Sequence, residues 1–299
     1  MERVGRYAIA IATLAFAPGA VQASAPDACA LAQTVRDDAV LSVPFRTHDG
    51  RIYVEAQVNE KGPFAFAVDT GASGAGRADA RLVARLDLPV HGTQESSDGV
   101  ATAVVNTVRL ASLELGGLVR TNLDVITRDY NSRLSDEAKF DGILGRKFFQ
   151  DGLLVIDYPN RQLSFTRRAG LTVGGKGVLS YARAFRVPMT VGDVATEGNL
   201  DTGANVAFVV PESLFERFGG GETEAAPSGQ LMNTAIDTAR ATLRGPVRIG
   251  AATLENVEVR VSKKYPELLV GAHALQQFTL LIDQRTQAVA LCPELDEAG

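Results

Sequence analysis

An all-β fold built from two similar halves is what this sequence predicts, on three observations. Short apolar or alternating runs, each bounded by turn residues, fill most of the chain. The turn D-T-G-A occurs twice, at 69–72 and at 201–204. Each copy sits in the same succession of strands, glycines and short helices.

"RIYVEAQV" (51–58) and "PFAFAV" (63–68) are separated by "NEKGP", a hairpin signal. Further candidates are "GVATAVVNTVRL", "LDVIT", "GLLVIDY" and "RQLSFTR". Helical periodicity is confined to 78–88, 212–219 and 272–278. Polar stretches at 128–139 and 219–229 read as loops without regular structure, and the Gly-rich 167–177 reads as a linker between the copies. The repeat extends beyond the two turns. "LGGLVRTNLDV" (115–125) matches "IGAATLENVEV" (249–259), and 141–165 matches 267–291, pairing Gly145 with Gly271 and Asp157 with Asp283.

Composition bounds the partners. The 299 residues are 45% hydrophobic and 22% charged, as in a globular protein of one large domain or two lobes. The net charge is −5 and no Lys/Arg run occurs, so no nucleic-acid partner is expected. At the N-terminus a basic "MERVGR", an apolar "YAIAIATLAFAPGAV" and a small-residue "VQASA" read as a signal peptide over 1–25, cleaved after Ala23 or Ala25. An uncleaved anchor is the alternative. No later stretch is long and apolar enough to span a bilayer, so no stable insertion of the mature chain is expected. The lobes are then expected at 26–170 and 171–299. Residues 26–45 are open to a second reading as a removable pro-segment. Cys29 and Cys292 form an even pair in a chain expected to be exported, which suggests a disulfide tying the two ends; two free thiols are the alternative.

The chemistry lies in the repeated turn. A strand ends at Val68, and Asp69 follows at a turn that Gly71 permits. Such a carboxylate is held rigidly, and the next hydroxyl, Thr70, can hydrogen-bond locally. A second unit supplies Asp201, Thr202 and Gly203. Two carboxyls facing each other cannot both ionise easily and share one proton. One then serves as base toward water while the other donates to a carbonyl. The need for two halves explains the duplication.

These residues, "DTGAS" and "DTGAN" followed by "GILG" and "LLVG", resemble the retropepsin-like and pepsin-like aspartic proteases, in the bacterial exported branch with both lobes on one chain. The resemblance covers about 40–295. It implies two similar β-barrel lobes related by a pseudo-twofold axis, with the active cleft between them. It makes Asp69 and Asp201 the catalytic pair, has Thr70 and Thr202 grip across the interface, and sets Gly145 and Gly271 on strands beneath the turns. It implies chain termini paired in a sheet under the cleft, which would suit a Cys29–Cys292 bridge. The signal peptide makes the expected location periplasmic. The implied substrate is an extended peptide or flexible protein segment, with no cofactor; a peptide-binding module without turnover is the alternative. By register, 96–105 and 227–236 fall where hairpins would cover the substrate, which makes Gly99, Val100, Gly229 and Gln230 flap candidates. Neither stretch carries the flap tyrosine of pepsin-like members. "EGNLDTG" is also more polar than "FAFAVDTG", so the lobes are expected to differ. Ala72 and Ala204 stand where pepsin-like members often carry a hydroxyl donor; its loss is expected to keep the shared proton on the pair to higher pH.

Other motifs fail. "GASGAG" (71–76) is neither G-x-S-x-G nor G-x-G-x-x-G. His48, His91 and His273 have no ligand-like spacing, so no metal site is expected; His273, just after Gly271, is a cleft-lining candidate. Asp157 and Asp283 end strands before turns and read as structural.

Overall fold

Strand-forming runs pair into three sheets, and the order of strands repeats between the first two. The computed structural model describes residues 27–294, so the expected leader over 1–25 lies outside the described residues. In the first sheet the order is Arg46–His48, Arg51–Val58, Lys61–Asp69, Gly142–Gly145, Gly76–Asp79, Leu118–Arg128, Thr102–Leu115, Val90–Ser97. Pairing of Gln57 with Glu114 and Val58 with Leu113 brings the first hairpin back onto the long Thr102–Leu115 strand and curls the sheet toward a barrel. The second sheet runs Glu224–Gln230, Ala235–Thr242, Glu258–Ser262, Phe208–Pro211, Leu269–Gly271, Val194–Asp201, Arg186–Val191, Val247–Ile249, Ala252–Leu254. Read from each acid-bearing strand outward, six strands correspond one to one.

The third sheet joins the halves. Leu153–Asp157 and Phe278–Asp283, the two "I-D" strands, pair antiparallel with Leu153 opposite Asp283 and Asp157 opposite Thr279. Leu41–Pro44, Gln162–Thr166, Ala288–Pro293 and Leu179–Ser180 complete it. One face packs on the main core. The other is covered by Ala28, Val35, Leu171 and the helix Ala28–Thr34. That helix has seven residues, too short for a periodic signal, and is capped by the Asp27 carboxylate accepting from Cys29 N. Cys29 lies in this helix, which packs on the joining sheet. Its sulfur is bonded to Cys292 on the last strand. Among the described residues, no helix is long and apolar enough to cross a membrane.

Three sequence expectations are corrected. The helix predicted over 78–88 forms only over Ala80–Leu86, because Gly76–Asp79 is drawn into the sheet beside Gly142–Gly145 and Leu118–Arg128. The helix predicted over 272–278 stops at Leu275, since Phe278 opens a strand of the joining sheet. The stretch 219–229, expected to lack regular structure, contributes the strand Glu224–Gln230; its partner Ala235–Thr242 supplies the backbone bonds that composition could not reveal.

Candidate active site

The two D-T-G turns meet at the junction of the lobes and interlock through their threonines. Thr70 Oγ1 donates to the Leu200 carbonyl at 3.1 Å and accepts from Thr202 N at 3.0 Å. Thr202 Oγ1 donates to the Val68 carbonyl at 2.8 Å and accepts from Thr70 N at 3.1 Å. Both side chains are buried, so all four bonds form away from water, where an unpaired group would cost most. Beneath each turn runs the apolar-apolar-Gly strand: Asp69 pairs in parallel with Gly145, and Asp201 with Gly271.

This lock fixes the carboxylates. Asp69 Oδ1 accepts from Ala72 N at 2.8 Å, and Asp201 Oδ1 from Gly203 N at 2.9 Å. Each acid also abuts the glycine of the opposite turn. A Cβ on Gly71 would stand 2.5 Å from Asp201 Oδ2, and one on Gly203 would stand 2.6 Å from Asp69 Oδ2. Only glycine allows this approach. Both acids are partly buried, not sealed from solvent. Burial raises the Asp201 carboxyl, the like charge of Asp69 and a hydrogen bond shared with it raise it further, and the Gly203 N–H and Arg51 pull it back in part; the result is about 7. Ala72 and Ala204 carry no hydroxyl, and a backbone N–H serves each acid instead.

Cations brace the turns from outside. Arg51 Nε donates to the Gly203 carbonyl at 2.7 Å and its Nη2 to Asn205 Oδ1 at 3.1 Å. Asn205 Nδ2 in turn donates to Asp49 Oδ2 at 2.6 Å, and Asp49 Oδ1 lies 3.0 Å from His273 Nε2. In the other half Arg146 Nη1 reaches the Gly71 carbonyl at 3.4 Å. His273 thus belongs to this outer brace. His91 lies 3.0 Å from Asp124, on the hairpin strands of the first lobe.

Two hairpins, one from each lobe, touch at their tips. One turns at 98–101, between Val90–Ser97 and Thr102–Leu115; the other turns at 231–234, between Glu224–Gln230 and Ala235–Thr242. Gly99 and Val100 sit in the first turn. Gly229 and Gln230 lie on the last rungs of their strand, so the second tip is Met232–Asn233. Asn233 N donates to Asp98 Oδ2 at 2.7 Å, and its Nδ2 donates to the Ser96 and Ala101 carbonyls at 2.7 and 2.8 Å. Burial raises the Asp98 carboxyl, but backbone N–H groups of Ala101, Asn233, Val100 and Thr234 outweigh it and hold it below the usual range. Arg128 Nη1 reaches the same tip at the Met232 carbonyl and Asn233 Oδ1, both 2.9 Å.

The walls follow from register. In the first lobe Ala67 pairs with Ile143, Ile143 with Arg77, and Arg77 with Ile126. Side chains opposite one another share a face, and so do alternate residues of a strand. Asp69, Ala67, Ile143, Arg77, Ile126 and Arg128 therefore share the face of the sheet that carries the acid, while Val68, Leu144 and Ala78 enter the core. Ile143 and Ala67 pack with Tyr53, Phe140 and Tyr130. In the second lobe Asn199 pairs with Leu269, Leu269 with Val209, and Val209 with Arg260. Val209 and Leu269 pack with Ile236 and Tyr265.

Arg51, Arg77, Asn233 and the tyrosines were missed by sequence reasoning. For the tyrosines a signal existed: "ITRDY" (126–130) and "VSKKY" (261–265) end matching segments of the two copies with a basic residue and a tyrosine. The remote pair behaves as structural: Asp283 is buried against Arg285 at 2.8 Å, and Asp157 is paired with Arg36 at 2.6 Å.

The family model described as aspartyl protease matches residues 54–148 and 187–274, one segment per lobe, each containing its D-T-G-A turn and the glycine beneath it. No curated protein matches the chain.

Proposed function

Because the chain belongs to the aspartyl protease family, retropepsin-like and with two lobes on one chain, we propose that it is an aspartic endopeptidase working through Asp69 and Asp201. The observation that carries this reading is the reciprocal lock of Thr70 and Thr202, which brings the two acids together with a carboxyl raised to about 7. As pH falls below about 7 the pair takes up one proton and holds it between them. Asp69, as carboxylate, takes a proton from a water molecule as the water oxygen attacks the peptide carbonyl carbon. Asp201 gives its proton to the carbonyl oxygen, which makes a neutral tetrahedral diol. The diol then returns a proton to Asp201, Asp69 passes its proton to the amide nitrogen, and the C–N bond breaks to leave an acid and an amine. Water is the only co-reactant this balance requires.

The substrate is an extended peptide or flexible segment of an exported protein, held between the cleft floor and the backbone of the two hairpins. Digestion of a peptide library by the protein and by its Asp201→Asn form tests the reading. Cleavage by the unaltered chain alone supports it. Equal cleavage by both, or peptide binding without any cleavage by the unaltered chain, contradicts it.

A further inference from the structure

The same strand positions carry opposite chemistry in the two walls of the cleft. Where the second lobe presents Val209 beside Leu269, the first presents Arg77 beside Ile143. A guanidinium in such a place needs a partner. Arg77 is only 7% exposed, its Nε is buried without a hydrogen bond, and among the described residues no carboxylate lies within salt-bridge distance of it. The acid nearest in sequence, Asp79, points the same way along the strand but is committed to Arg81 N and Tyr130 N at 2.9 Å each. Tyr130 does not compensate the charge. Burial keeps its proton on, pushing it up to about 12 against the pull of Arg77 and Arg128, so the phenol beside the guanidinium is neutral. Arg128 Nε and Nη2 are likewise buried and unpartnered on the same face.

An uncompensated cation inside a protein is expensive, and an anion supplied by a ligand removes the cost. The site lies close to the proposed chemistry. Arg77 is two strand spacings from the strand of Asp69 and level with Ala67, two residues short of the acid, so the two are about 12 Å apart at roughly 4.8 Å per spacing and 3.4 Å per residue.

Resting on the reading of this cleft as a peptide groove, we propose that Arg77 is a specificity-determining residue that pairs with a peptide carboxylate on one side of the scissile bond, while Val209 and Leu269 select an apolar side chain on the other. The carboxylate belongs to an Asp or Glu side chain or to a free peptide C-terminus; both present the same planar acceptor to the guanidinium.

The test uses peptides with both ends capped that carry Glu or Gln at each position flanking an apolar residue, and a third set with a free C-terminal carboxylate. The protein is expected to cleave the Glu member of one pair at least about tenfold faster in kcat/KM than its Gln partner, as a charge-assisted hydrogen bond allows. A gain confined to the free-terminus set assigns the terminal carboxylate as the source. Arg77→Met brings the Glu/Gln ratio to about 1, Arg77→Lys restores part of it, and Arg77→Glu favours Lys at that position. A ratio near 1 at every position in the unaltered protein, with no gain from a free terminus, overturns the proposal and needs no variant to fold. So does a ratio unchanged in Arg77→Met. The same pairs titrated onto the Asp201→Asn protein by fluorescence anisotropy separate this inference from the protease reading. Selective binding of the acidic peptide without turnover by the unaltered chain removes the protease and keeps the site. Cleavage without acidic preference does the reverse, and absence of both binding and cleavage removes both.

Discussion

At the scale of single residues the account turns on how few groups are free to vary. The acids and threonines were legible because the motif repeats, and repetition is visible without coordinates. Arg77 was not legible: a lone arginine just before a stretch of helical periodicity looks like solvated surface until register places it opposite Ile143. Two outcomes belong here. The Asp201 carboxyl is raised to about 7, so the one-proton form of the pair is present below that value and lost as pH rises through it. The kcat/KM for a good peptide is therefore expected to hold through mildly acidic pH and to fall above about 7; an optimum below about 3, like that of a dyad with pepsin-like values, contradicts this. Thr202→Val removes the hydroxyl that accepts from Thr70 N and donates to the Val68 carbonyl, leaving two buried groups unpaired. At about 1–3 kcal/mol for each such group, and a few degrees per kcal/mol for a chain of this size, the melting midpoint drops by roughly 5–15 °C, while Thr202→Ser stays near the parent. A valine form that melts with the parent would show that the lock carries no stability.

Among the elements, the paired hairpins are the ones that join the lobes away from the acids' own turns. Their positions could be placed by register from each acid, but not their contact, because the atoms that join them lie far apart in sequence. Asn233 alone gives three bonds to the opposite hairpin, at Asp98, Ser96 and Ala101. Asn233→Ala is expected to release the side-chain pair and raise amide exchange across both turns, leaving the strands of the joining sheet protected. Hydrogen exchange read by mass spectrometry checks it, and unchanged protection at 98–101 would contradict the role given to Asn233. The strand Glu224–Gln230 shows why some elements escape a reading of composition. "EAAPSGQ" has no β pattern of its own, with five of its seven positions exposed, and is held by its neighbour's backbone and not by a core.

The whole molecule is two lobes closed by a shared sheet and one covalent tie. The repeat predicted the lobes. It could not predict that the two "I-D" strands would pair with each other, since self-similar segments reveal likeness and not adjacency. The Cys29–Cys292 bond, spanning a sequence separation of 263, anchors the first helix to the last strand of that sheet. Cys292→Ala is expected to lower stability by about 2–5 kcal/mol, read as a shift of the denaturant midpoint; a midpoint equal to the parent's under oxidising conditions would mean that the tie does not constrain the unfolded chain. The central claim is that both lobes together hold one proton at their junction, and carbon-13 NMR titration of the aspartate carboxyls reads it most directly. The account predicts a step near pH 7 in the Asp201 signal that moves down when Asp69 becomes Asn, because repulsion and the shared hydrogen bond are then gone. A step near the ordinary aspartate value of about 4, or one that Asp69→Asn leaves in place, would contradict it.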